Sequence, residues 1–145
     1  MQIIQWKMSG LFHADATKCK QEIENIGDDV TPPEVVEYAR NPDTELHKCF
    51  TWDNDVAADK WRLYEARQVL CNIVVVDKRD DSLEPTSFRL FHKTDNTGGY
   101  KPLSLIIQNE DEYKKLLRNC ETDLRTIKKK YQNLSEYQEI WDLIH

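Results

Sequence analysis

No stretch of this sequence stays apolar for the roughly 20 residues that a membrane-spanning helix needs. The opening residues, Met1-Gln-Ile-Ile-Gln-Trp-Lys7, also lack the basic and then apolar order of a secretory signal. The expectation is a chain that works in the cytoplasm and meets no membrane. Its four cysteines, Cys19, Cys49, Cys71 and Cys120, stand far apart and form no CxxC pair, which excludes a zinc ribbon or a thioredoxin-type redox centre and leaves free buried thiols as the expectation. Gly98-Gly99 is the only adjacent glycine pair and lacks the spacing and lysine of a phosphate-binding loop, so a turn is expected there. No GxSxG elbow, internal repeat, low-complexity tract or Gly/Ser-rich linker occurs, so neither a serine hydrolase nor a domain break is indicated.

What remains is a chain of 145 residues, 39% hydrophobic and 32% charged, a balance and length suited to one folded domain spanning residues 1–145. The net charge of −6 opposes bulk attraction to nucleic acid. That charge is uneven: residues 1–60 carry twelve acidic against six basic side chains, whereas residues 109–132 carry seven basic against five acidic.

Ala16, Cys19, Ile23 and Ile26 recur at helical spacing and predict a helix over 14–26, with Gly27 as a left-handed stop. Thr31-Pro-Pro-Glu34 has the form of a capping box with proline in the first turn, opening a second helix whose Val35, Val36 and Ala39 face the core. Asn41-Pro42 ends it. The acids at Asp53 and Asp55 then cap a long helix running to Asn72, with Ala57, Trp61 and Tyr64 on one face. Ile73-Val-Val-Val76 reads as a strand covered on both faces, and two further strands, Ser87–Phe91 and Pro102–Ile107, flank the turn-rich Thr94–Gly99.

Asn109 and Glu112 cap a helix whose Tyr113, Leu116, Leu117, Cys120, Leu124, Ile127 and Tyr131 form an apolar side expected to pack on the sheet or on another helix. Ser135-Glu-Tyr-Gln138 opens a last short helix as a second capping box, with Tyr137, Ile140, Trp141 and Ile144 as its apolar side. The fold class is therefore α+β: helices, a small three-stranded antiparallel sheet, a long helix and a short C-terminal helix.

Ligand-capable residues crowd at His47, Cys49, Asp53, Asp55 and Asp59, with Asp77, Asp80 and Asp81 as a potential second acidic group for a metal-dependent enzyme. The same carboxylates are equally what a helix N-terminus attracts, and His-x-Cys has no matching second pair, so no metal or other cofactor is assigned. Two groups are candidates for binding. Phe50, Trp52 and Trp61, beside Asp53 and Asp55, can form an aromatic contact surface or anchor the core. Arg125, Lys128, Lys129 and Lys130 can meet phosphates or an acidic protein, or lie solvated at a helix C-terminus.

The segment from His47 to Arg62, followed by Ala66-Arg67-Gln68, resembles a group of small proteins encoded by bacteriophages and prophages, whose pattern is similar to HxxFxWDDxxAAxxxR. The resemblance extends to Thr31–Val36 and to Lys129–Tyr137; Asn54 stands where the group commonly has aspartate. It implies a mobile-element origin and supplies no catalytic residue. The function expected is a non-enzymatic accessory protein that binds a host or defence nucleoprotein and inhibits or redirects it, in the manner of an anti-CRISPR protein. A DNA-binding regulator with its helices over 14–72 arranged like a helix-turn-helix, and a metal-dependent enzyme, are the alternatives.

Overall fold

A computed structural model describes residues 2–52, 56–77, 86–94 and 98–145, with only the backbone of Val56 and Ala57. The chain divides into two compact units, residues 1–105 and 106–145. No helix among the described residues is long and apolar enough to cross a membrane.

The first unit opens with a strand, β1 (Gln2–Trp6), and continues through helices α1 (Ala16–Ile26) and α2 (Pro32–Ala39), a 3-10 turn (Leu46–Cys49) and helix α3 (Val56–Asn72). Strands β2 (Ile73–Asp77), β3 (Thr86–Arg89), β4 (Phe91–Lys93) and β5 (Tyr100–Pro102) follow. The sheet has the order β1-β2-β3 and is antiparallel throughout, with Ile4 opposite Val75 and Val75 opposite Phe88. Ile73 to Val76 are all buried, as a β-branched run without alternation requires of a strand covered on both faces.

Local signals set the helix starts. Asp15 caps α1 by accepting from the Lys18 N–H, and Thr31 and Glu34 close a reciprocal capping box on α2. Gly27 ends α1 with φ 158° and ψ −176°, a positive φ that favours glycine, although not the left-handed helical conformation expected from sequence. The cap expected from Asp53 and Asp55 lies outside the described residues. Cys19 and Ile23 from α1, Val35 and Ala39 from α2, Leu46 from the 3-10 turn, and Val69 and Leu70 from α3 meet in the core.

Two carboxylates cross-link α1 to the 3-10 turn. Glu22 accepts from the backbone N–H groups of Glu45 (2.9 Å) and Leu46 (2.8 Å). Glu45 in return accepts from the Asp15 N–H at 2.8 Å and pairs with Lys48 at 3.0 Å. The Asp15 N–H, and then Lys48, hold the Glu45 carboxyl below its ordinary value of 4.5. A depressed folded-state pKa means that this contribution is complete above pH 4.5 and is lost as pH falls through the folded value. Unfolding measured by urea between neutral and acidic pH should therefore show a shallower acid decline in Glu45→Gln than in the unmodified chain.

Three elements differ from the sequence reading. β1 is an additional strand, and it completes the three-stranded sheet with β2 and β3. β4 and β5 form a separate hairpin, Phe91 opposite Pro102, closed by Gly98 at φ +83° in the turn expected there. The run after Pro102 is helical, α4 (Leu103–Gln108), because proline offers no N–H to extend the ladder and the Leu103 N–H instead bonds to the Leu90 carbonyl at 2.8 Å.

The second unit holds α5 (Glu110–Tyr131), a 3-10 turn (Ser135–Tyr137) and α6 (Gln138–Leu143). Asn109 caps α5 by accepting from the Glu112 N–H, as expected. α5 has no buried residue, and the apolar side read from its periodicity is largely exposed. Ser135 makes no capping bond; the chain makes a 3-10 turn there, and α6 begins from Tyr137 without a side-chain cap. Trp141 is buried and donates its indole N–H to the Leu134 carbonyl at 3.1 Å, while Lys128 donates to the Ile144 carbonyl at 2.7 Å.

Candidate functional site

His47, Arg40 and Arg62 gather around the Trp52 indole. Trp52 donates its N–H to the His47 carbonyl at 2.9 Å, and the His47 ring lies over the indole with centroids 4.7 Å apart and planes 7° from parallel. The His47 Nδ1–H donates to the Ala39 carbonyl at 2.8 Å, tying the segment to the end of α2. Arg62 places its guanidinium carbon 5.0 Å from the indole centroid, and Arg40 places its own at 5.9 Å, both in cation–π range.

Arg62 and Glu65 fasten the segment to α3 from below. Arg62, only 4% exposed, donates its Nε–H to the Thr51 carbonyl at 2.9 Å and pairs with Asp59 at 2.9 Å. Glu65, 7% exposed, accepts from the Thr51 N–H at 2.9 Å. Both backbone polar groups of Thr51 are thus taken by charged side chains one helical turn apart. Glu65 and Arg40 escaped the sequence reading; a charged residue three positions from Arg62, on the stripe continued by Ala66 and Val69, was the signal available.

The expected site residues therefore separate. Phe50 is buried and belongs to the core, and Trp52 is half-buried and packed against it. Trp61 is 53% exposed, off the buried Arg62–Ala66–Val69 stripe of α3. It stacks on Tyr64, 48% exposed, at 5.1 Å between centroids and 30° between planes. Of the three aromatics expected to act together, Trp61 alone is open to solvent, and its companion is Tyr64. Asp53 and Asp55 lie outside the described residues, as do Asn54, Asp80 and Asp81.

His47 and Cys49 do not converge as metal ligands. The Cys49 thiol turns into the core, 4.0 Å from that of Cys19, and no cluster of three potential ligands occurs among the described residues. The Cys49 hydrogen bond and burial push the Cys19 thiol up, which keeps it protonated and unreactive. All four cysteines are free; Cys19 and Cys49 are buried as expected, whereas Cys71 is half-buried and Cys120 exposed. A depression of about 310 Å³ beside the start of α2 is lined by Thr31, Pro32, Arg67, Lys93 and Tyr100 and brings no nucleophile beside a base.

In the second unit, Arg125, Lys129 and Lys130 are exposed and Lys128 is half-buried. Lys130 sits 5.1 Å from the Tyr131 ring centroid. These cations occupy the last turns of α5, where they complement the helix dipole. Compared with protein-family models, with curated proteins and with solved structures, the chain matches none.

Proposed function

We propose that this chain is a non-enzymatic binding protein of mobile-element origin, acting in the bacterial cytoplasm by occupying a protein surface on a host or defence nucleoprotein. The observation that carries the reading is the Trp61–Tyr64 stack, two large aromatics held open to solvent on a helix whose other side is anchored in the core. Tryptophan and tyrosine dominate the energetic centres of protein interfaces because they bury much apolar area while losing few rotamers. An exposed pair on a rigid element is ready to enter a partner's groove without reordering.

The charge pattern supports the nature of the partner. Twelve acids against six bases in residues 1–60 favour approach to a basic channel of the kind that holds nucleic acid, and association should slow as salt rises. The phage-like His47–Arg62 pattern fits the same reading: Thr51, Trp52 and Arg62 tie the chain before α3 to that helix, and Trp61 is left exposed.

The test is a pulldown from nuclease-treated host lysate with the unmodified chain and with Trp61→Ala/Tyr64→Ala. A protein retained by the first and lost by the second, at a cost of at least about 2 kcal/mol in binding, is the expected result. Equal retention by both would overturn the role of the pair. Recovery of nucleic acid alone, abolished by nuclease, would favour a DNA-binding regulator instead.

A further inference from the structure

The long helix of the second unit carries a seam that the first unit's aromatic pair does not explain. Tyr113, Leu117, Cys120, Leu124, Ile127 and Tyr131 follow one another at alternating intervals of four and three, which is the heptad spacing of a two-helix seam. All six are exposed. Leu134, 46% exposed just beyond the helix, continues the same alternation. A 22-residue helix is about 33 Å long, room for three heptads.

The flanking charges identify what covers this seam. With Leu117, Leu124 and Tyr131 at the first core position of each heptad, Asp123 falls beside the seam on one side and Glu121 and Lys128 on the other, with Lys130 one heptad after Asp123. A second α5 laid parallel and in register brings Asp123 against Lys128 of the other copy, twice. Laid antiparallel about the Leu124–Ile127 step, it brings Asp123 against Lys130 and Glu121 against Lys128, each twice. The fully overlapped antiparallel alignment, centred near Thr122, would set Glu121 against Glu121 and Lys114 against Lys128, and is disfavoured by like charges.

We propose that the chain associates with a second copy of itself through the α5 seam, with Asp123 of each copy seated against the lysine run of the other. The sequence is its own electrostatic complement in these two alignments. The lysines 128 to 130, read from sequence as candidate contacts to phosphate or to an acidic protein, then serve an acidic surface of the same chain. Lys128 does so while also donating to the Ile144 carbonyl.

Sedimentation equilibrium of the full chain tests this directly. The expected mass at tens of micromolar is twice the 17.2 kDa of one chain. Leu124→Glu should weaken association at least about 100-fold while the helical circular dichroism signal and the cooperative unfolding of the chain persist. Asp123→Lys should weaken it about tenfold, and adding either Lys128→Asp or Lys130→Asp in the same chain should restore it, the first in a parallel pair and the second in an antiparallel one. A monomer throughout the concentration range would overturn the proposal. So would a dimer indifferent to Leu124→Glu, or an Asp123→Lys defect that neither swap restores.

Discussion

Arg62→Ala should destabilise the first unit by about 3 kcal/mol, the middle of the range for removing a buried, hydrogen-bonded charged side chain. Three losses add. The Thr51 carbonyl loses its charged donor. Trp52 loses a cation 5.0 Å from its ring centroid, together with the flat surface that packed there. Glu65, buried and still accepting from the Thr51 N–H, loses the buried side chain beside it on α3. The Asp59 ion pair contributes least, because that carboxylate is 67% exposed and its attraction is screened. Asp59→Asn should accordingly cost no more than about 0.5 kcal/mol. Arg62→Lys should recover less than half of the loss, since an ammonium cannot bond Thr51 and lie flat by the indole at once. Urea unfolding of the three variants checks the order; an Asp59→Asn cost equal to that of Arg62→Ala would show the surface ion pair to be the main bond.

The helices α1, α2, α3 and α5 were legible in the sequence because each begins or runs with a local signal: an Asp15 or Asn109 cap, the Thr31–Glu34 box, or an unbroken helical period. Local chemistry also fixed β2, whose four β-branched residues suit only a covered strand. What escaped depended on distant partners. β1 alternates weakly, and only its pairing with β2 makes Gln2–Trp6 a strand. Leu103–Gln108 is an apolar run that periodicity assigns to neither class, and the Leu90 carbonyl decides it.

Which face of α3 is buried was not readable for a related reason. Aromatic bulk leaves Trp61 open between core and contact surface, whereas the spacing of Ala66 and Val69 extrapolates back to Arg62, and the charged residue is the buried one. A buried arginine becomes readable only once the Thr51 carbonyl and the Trp52 ring are in place around it. At α5 the period was right and the residues that carry it are exposed: an apolar stripe calls for a partner, and nothing in a single chain's pattern says where that partner lies.

Leu46→Ala should cost about 3 kcal/mol, as expected for a fully buried leucine whose site cannot collapse freely. The site is stiff for a stated reason. The backbone N–H of Leu46 and that of Glu45 are both held by the Glu22 carboxylate, so the 3-10 turn cannot move inward to fill the space without breaking those bonds. Leu46 and Arg62 also secure opposite ends of one short segment, the leucine through the core and the arginine through Thr51 and Trp52. If that segment moves as a unit, the double variant Leu46→Ala/Arg62→Ala should be less destabilised than the sum of the singles by about 1 kcal/mol, because the first substitution already releases part of what the second would break. Strict additivity would mean that the two ends are anchored independently. The coupling bears on function through Trp61, which neighbours Arg62 in the chain. At temperatures where both single variants remain folded, Arg62→Ala should weaken partner binding by loosening the start of α3, and Leu46→Ala should do so only to the extent that the cycle shows the two residues coupled.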